Sequence, residues 1–292
     1  MATLTAIEDP RRLIRVGHSP DPDDAFMFYA LANEKIFTGP LRFVHELQDI
    51  ETLNRRALQG ELEVSAVSIH AYAHLAERYA LLSCGCSMGD KYGPIVVARR
   101  RLQLADLPEV RIAVPGTLTT AFLVLQLLFE SLHARQRLQY QVLPFDQILT
   151  AVIQGQCDAG LVIHEGQLTF HNLGLNLIVD LGVWWQERTG LPLPLGGNVV
   201  RKDLGLSLMR QINQLIQESI RYSLAHRGEA LDYALQYARG LDPSLADRFV
   251  AMYVNEWTLD YGARGRAAIE RLLQEGTQAG LLSALPPIEF VN

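Results

Sequence analysis

Apolar and polar positions along the chain change period in a way that lays out its elements. "LIRVG" reads as a short buried strand, and the apolar run "AFMFYAL" that follows at Ala25 reads as a buried helix. Between them stands "SPDPDD", Ser19 to Asp24, an acidic and proline-rich turn where a strand hands over to a helix. In open α/β sheets that handover is where ligands bind. The same plan occurs again: "RVGHSPDPDDAFMFYAL" from Arg15 aligns with "RIAVPGTLTTAFLVLQL" from Arg111, each a strand, a turn and a helix. A further echo pairs "LQGELEVSAVSIH", ending at His70, with "IQGQCDAGLVIHE", ending at Glu165, each a helix end, a Gly turn and a buried strand.

The repeat predicts two similar α/β lobes. "PIVVARR" around Val97 and "GNVVRKD" around Val200 read as two strands that cross between them, so the second lobe is an insertion. Lobe one is then residues 1–97 with 201–292, and lobe two is 98–200. After Asp203 the pattern is helical, with "LMRQINQLIQESIRYSLAH", "GEALDYALQYA" and "RGRAAIERLLQEGTQAGLL" carrying apolar residues at helical spacing. Those helices are expected to clasp lobe one. Two lobes joined by two crossings make a hinge with a ligand cleft between them.

Composition narrows the partners. A chain of 292 residues, 49% hydrophobic and 20% charged, can bury a full core. Its net charge of −6 gives no basic field for nucleic acid or for an anionic membrane. Small molecules are the expected partners, and "AFLVLQLLF" is too short a run to span a bilayer. Cys84, Cys86 and Cys157 form an odd set without histidines at metal-ligand spacing, which fits a reduced compartment. The first residues mix acids and arginines before any apolar run, so a cytoplasmic location is expected.

Candidate chemistry sits on the repeated turns. Asp23 or Asp24 precedes the first apolar helix, and Thr119 or Thr120 precedes its counterpart. Helix capping alone explains such residues about half the time, at about 1 kcal/mol each. The functional reading adds that free amides at the Thr turn suit a substrate carboxylate, whereas Asp21, Asp23 and Asp24 suit hydroxyls. "AGLVIHEG" puts His164 at the end of a buried strand, where it can serve as a base near neutral pH. A hydrogen-bonded structural histidine is the bland alternative. Leu168 stands where a zinc-protease motif needs its second histidine, so no metal is expected. Ser68 ends the matching strand of lobe one without a nucleophile elbow around it, and reads as a hydrogen-bonding residue facing the same cleft. In "GVWWQERTGLPLPLGG", Trp184 or Trp185 offers a flat wall to a planar ligand or simply packs a loop. No Walker or Rossmann glycine pattern occurs, so no nucleotide cofactor is implied.

Taken in order, "SPDPDDAFMFYAL", "DIETLNRRALQGELEVSAVS", "YGPIVVAR", "IAVPGTLTTA", "GLVIHEG" and "DLGVWWQERTGLPLPLGG" resemble the 1,4-dihydroxy-6-naphthoate synthase family of the futalosine route to menaquinone. The resemblance runs from Ile14 to beyond Tyr253. It implies a two-lobed periplasmic-binding-protein-like (type II) α/β fold and a cofactor-independent lyase acting on cyclic dehypoxanthine futalosine. It also implies that His164 is the catalytic base, and that Ser68, Thr119 and Thr120 contact the substrate together with Ser19, Asp24 and Trp184. One departure stands out. The family's turn more usually reads Ser-Pro-Cys-Pro-Asn-Asp, and Asp21 and Asp23 replace its cysteine and asparagine here. A small-molecule binding or sensory protein on the same fold, and the related chorismate dehydratase, are the competing readings.

Overall fold

The structure, a computed structural model, describes residues 9–238 and 241–292; residues 1–8, on which the reading of the N-terminus rests, lie outside the described residues. The chain runs through β1 (Arg12–His18), α1 (Pro22–Ala32), β2 (Leu41–Leu47), α2 (Ile50–Gln59), β3 (Val64–Ser68), the single turn α3 (Ile69–Tyr72), β4 (Tyr79–Leu82) and β5 (Ser87–Gly89). A second unit follows with β6 (Ile95–Ala98), β7 (Arg111–Val114), α4 (Thr120–Ser131), β8 (Gln139–Val142), α5 (Ile148–Ile153), β9 (Ala159–Val162), α6 (Gly166–Thr169), β10 (Asn176–Asp180) and α7 (Leu181–Thr189). Then come β11 (Leu193–Arg201), α8 (Leu206–Ala225), α9 (Arg227–Ala234), α10 (Pro243–Tyr253), α11 (Glu256–Leu259), α12 (Gly262–Gln278) and β12 (Phe290–Val291).

Two sheets result, ordered β12-β4-β11-β3-β1-β2 with β5 on β11, and β10-β6-β9-β7-β8. Their inner plans are the same. β1 is parallel to β2 and β3 while β11 runs antiparallel to β3; β7 is parallel to β8 and β9 while β6 runs antiparallel to β9. The sequence repeat is this shared plan.

The crossings differ from the sequence reading, which puts them in the strands around Val97 and Val200 with boundaries at 97/98 and 200/201. β6 is bonded within the second sheet and β11 within the first, because each fills the antiparallel slot of the lobe it enters. The chain therefore passes between sheets ahead of each strand, at residues 90–94 and along α7. The two passages touch. The Leu181 N–H donates to the Pro94 carbonyl at 2.9 Å. Gly93 and Gly182 pack so closely that a Cβ on Gly182 would overlap the Tyr92 carbonyl.

Packing explains the uniformly apolar α1. Asp24 to Leu31 are all buried, between the first sheet and helices α8, α9 and α10. Full burial of a Phe side chain contributes about 2–3 kcal/mol. Phe26 and Phe28, both 0% exposed, therefore anchor the acidic turn that precedes them. Asp21 is the N-cap residue and Pro22 the first helical one, where a fixed φ and a missing N–H suit a helix start. Another core joins the lobes: Val67, Tyr72 and Met88 of the first pack with Ile112, Leu123 and Phe129 of the second and with Leu272 and Leu273 of α12. Cys84, Cys86 and Cys157 are buried free thiols. Among the described residues no helix is long and apolar enough to cross a membrane.

Candidate active site

A cleft holding about 800 Å³ of space, its open mouth included, lies where the β1–α1 turn, the end of β3, the start of α4, the β9–α6 turn, β11 and the end of α10 converge. Ser19, Asp24, Ser68, Thr119 and Thr120 all line it.

The first-lobe wall is built by the acidic turn. Asp24 accepts the Ser19 backbone N–H at 2.7 Å, and the Ser19 hydroxyl donates to Asp21 at 2.5 Å. Asp23 also lines the cleft. Burial raises the Asp24 carboxyl from its usual 3.8 to about 7, helped by the charge of Asp21 and opposed by the Ser19 N–H. Burial drives Asp23 well upward too, followed by the charges of Asp24 and Asp21. Behind the turn, His18 stacks on Phe28 at 4.7 Å and shares a 3.1 Å contact with His45. Burial depresses His18 to about 3 and His45 to about 4, so this pair is neutral at physiological pH.

On the second-lobe side the Thr119 hydroxyl is the N-cap of α4, accepting the Phe122 N–H at 3.2 Å and donating to the Gly116 carbonyl at 2.9 Å. The Thr120 hydroxyl is engaged as well. It donates to the Leu195 carbonyl at 2.6 Å and accepts the His70 N–H at 3.1 Å, tying α4 to β11 and α3. What the Thr turn offers a ligand is thus backbone, the positive end of a twelve-residue helix whose first amides have no intrahelical partner. No Lys or Arg lines the cleft among the described residues. The Ser68 hydroxyl accepts from Asn54 Nδ2 at 3.1 Å, which leaves its own proton to donate.

Two residues sit elsewhere than the sequence reading puts them. His164 lies two residues past β9 and is 7% exposed, yet its neighbours Ile163 and Gln167, rather than the imidazole, line the cleft. The ring turns into lobe two, edge-on to Phe145 at 5.5 Å, with Nδ1 accepting the Gly166 N–H at 3.0 Å and standing 3.7 Å from the Glu165 carboxylate. In the neutral ring that bond leaves the proton on Nε2. Trp184 does not line the cleft either: it packs on the shared core with the Arg188 guanidinium 5.7 Å over its ring. Its neighbour Trp185 is fully buried and donates to the Pro192 carbonyl at 3.1 Å.

Residues 14–278 match the sequence model of a family described as menaquinone biosynthesis. The chain belongs to the menaquinone biosynthesis family. Two curated members are similar to it over nearly their full lengths, both named 1,4-dihydroxy-6-naphthoate synthase. The one from Thermus thermophilus is 43% identical, covering 95% of this chain and 99% of that protein. The one from Streptomyces coelicolor is 36% identical, covering 94% and 96%. A solved protein of Archaeoglobus fulgidus superposes with a TM-score of 0.86 at 45% identity, covering 92% of this chain and 98% of its own. A Candida albicans protein described as having the generic periplasmic binding protein fold superposes at 0.66 with 14% identity over 94% of this chain and 92% of its own, which shows the fold alone. The two-lobed architecture is that fold.

In this menaquinone biosynthesis protein the cleft also holds residues that sequence reasoning did not single out. Asn198 is 1% exposed in the apolar strand β11, with Nδ2 on the Gly85 carbonyl at 3.0 Å and Oδ1 without a partner among the described residues. A lone polar residue in "GGNVVR" was its signal. Gly85, at φ +77°, makes the approach possible, because a Cβ there would overlap the Asn198 amide. Tyr253 and Gln167, 86 positions apart, meet across the cleft at 3.0 Å. Nothing in their local sequence announces that contact.

Proposed function

We propose that the chain is the carbon–carbon lyase that converts cyclic dehypoxanthine futalosine to 1,4-dihydroxy-6-naphthoate with release of a sugar-derived fragment. The observation that carries this reading is the full-length match to two relatives named for that product. The cleft supports it in kind. Its acidic wall suits the hydroxyls of the sugar-derived part, and the α4 N-terminus suits a carboxylate. Removing a proton beside a carbonyl opens the ring, and formation of the aromatic naphthoate draws the cleavage forward. The reading calls for no metal or organic cofactor and for a cytoplasmic enzyme.

His164 is the proposed base, on the strength of the resemblance and of its place directly after Ile163 at the cleft wall. To act, its ring must swing from the Gly166 N–H toward the ligand. A second candidate rests on a separate observation: Asp24 lines the cleft and titrates at about 7, near the working pH that suits a general base. The test is incubation with cyclic dehypoxanthine futalosine and detection of the naphthoate by mass spectrometry, for the wild type, His164→Ala and Asp24→Asn. The base is the residue whose loss lowers turnover by about 100-fold or more while product affinity persists. No naphthoate from the wild type would overturn the reading and favour a binding protein on this fold.

A further inference from the structure

Away from the core that the lobes share, a hydrogen bond joins them directly across the cleft. The Tyr253 hydroxyl, at the end of α10 in the first lobe, donates to Gln167 Oε1 in the second lobe at 3.0 Å. Both side chains line the cleft, and both are buried. Packing fixes the tyrosine, with Phe249 at 5.1 Å and Tyr92, in the crossing segment, edge-on at 5.8 Å. The glutamine is fixed to the other lobe by its own backbone. Its N–H donates to the His164 carbonyl at 2.9 Å, and its side-chain nitrogen points to the Val162 carbonyl at 3.5 Å. The amide oxygen of Gln167 is therefore the point where the first lobe grips the turn that carries His164.

We propose that Tyr253 is a positioning residue, a latch that holds α10 on the 164–169 turn and keeps the cleft closed around its ligand. A group that favours the closed form raises the fraction of molecules competent to retain ligand, so its loss weakens apparent affinity by that fraction. Once ligand is bound, its own contacts supply closure, and the chemical step is largely spared. A buried hydrogen bond that leaves its acceptor unsatisfied is worth about tenfold in such an equilibrium.

The decisive measurement uses ligand-free protein and amide hydrogen exchange read by mass spectrometry. Tyr253→Phe keeps the ring packing and removes only the hydroxyl. It is expected to speed exchange about tenfold in the peptide spanning residues 163–169, in the opposite lobe. Gln167→Met is expected to do the same reciprocally for residues 249–254. Changes confined to the mutated lobe would overturn the latch, since a local packing role moves nothing across the cleft. The kinetic arm rests on the proposed function: with cyclic dehypoxanthine futalosine, Tyr253→Phe should raise KM about tenfold and hold kcat within about twofold. A fall in kcat at unchanged KM would also overturn it. A wild type without turnover would sink the proposed function while the exchange arm still decides the latch.

Discussion

Asp24→Asn tests the electrostatics of the cleft through stability. Burial raises the Asp24 carboxyl from 3.8 to about 7, so the folded chain holds a proton there that the unfolded chain has already released. The sign follows from proton counting: where the native state binds more protons, stability falls as pH rises. The loss runs from pH 4 to pH 7 and is complete above that. Three units at 1.36 kcal/mol each set a ceiling of about 4 kcal/mol. For a chain of 292 residues that is about 6 °C in Tm. The α1 N-terminus favours the ionised form by about 2 kcal/mol at most, so burial wins. Asparagine cannot ionise, and its oxygen still accepts the Ser19 N–H that Asp24 holds at 2.7 Å. Asp23, raised by the same burial, keeps a residual slope in the variant. Thermal unfolding of both proteins between pH 4 and pH 8 is the assay. The variant should gain on the wild type steadily as pH rises, with the gain levelling off above pH 7. Parallel Tm–pH curves would refute the argument, and a gain largest at pH 4 would refute its sign.

Two further outcomes follow from the hinge. Gly182→Ala places a Cβ on the Tyr92 carbonyl where the crossings touch, and should cost about 2–3 kcal/mol by urea unfolding; an unchanged midpoint would show that the crossings have room to part. Thr120→Val strands the Leu195 carbonyl and the His70 N–H, both now met by one hydroxyl, and should lower stability by about 2 kcal/mol or more by the same measurement. A Thr120→Val protein as stable as the wild type, but weak in binding product, would return that hydroxyl to the ligand.

Local pattern was enough for the lobes and insufficient for their junction. The paired strand-turn-helix units were legible because a buried parallel strand and a fully buried helix both write continuous apolar runs, as in "AFMFYAL" and "AFLVLQLLF". The exact crossings were not, since a strand that belongs to the sheet it enters looks the same as one that bridges two sheets. What separates them is hydrogen-bond partners such as Val97 with Gly160, and these are tertiary. Of the cleft's lining, Ser19, Asp24, Thr119 and Thr120 were legible because strand-to-helix handovers gather at one edge of an open α/β sheet. The side-chain directions of His164 and Trp184 were not. A strand-end histidine can turn either way, and here the Gly166 N–H takes its Nδ1.

The cleft's two walls also suggest why the Thr turn and the acidic turn need not compete for one ligand group. The Thr turn is clamped to the first lobe through Leu118 N–H on Glu51 at 3.1 Å and through Thr120 on Leu195, so its position is set by the hinge. The acidic turn is set by α1, which the core holds on every side. Two walls of different chemistry therefore face each other, one of buried carboxyls and the other a helix N-terminus. A ligand with hydroxyls at one end and a carboxylate at the other would favour one orientation, because reversing it would take its carboxylate away from the α4 amides. The turn after β9, on which His164 stands, is held by Tyr253 through Gln167. If His164 is the base, orientation and proton transfer fall to different parts of the fold, and the His164→Ala and Tyr253→Phe proteins should fail in different kinetic constants: the first in kcat, the second in KM.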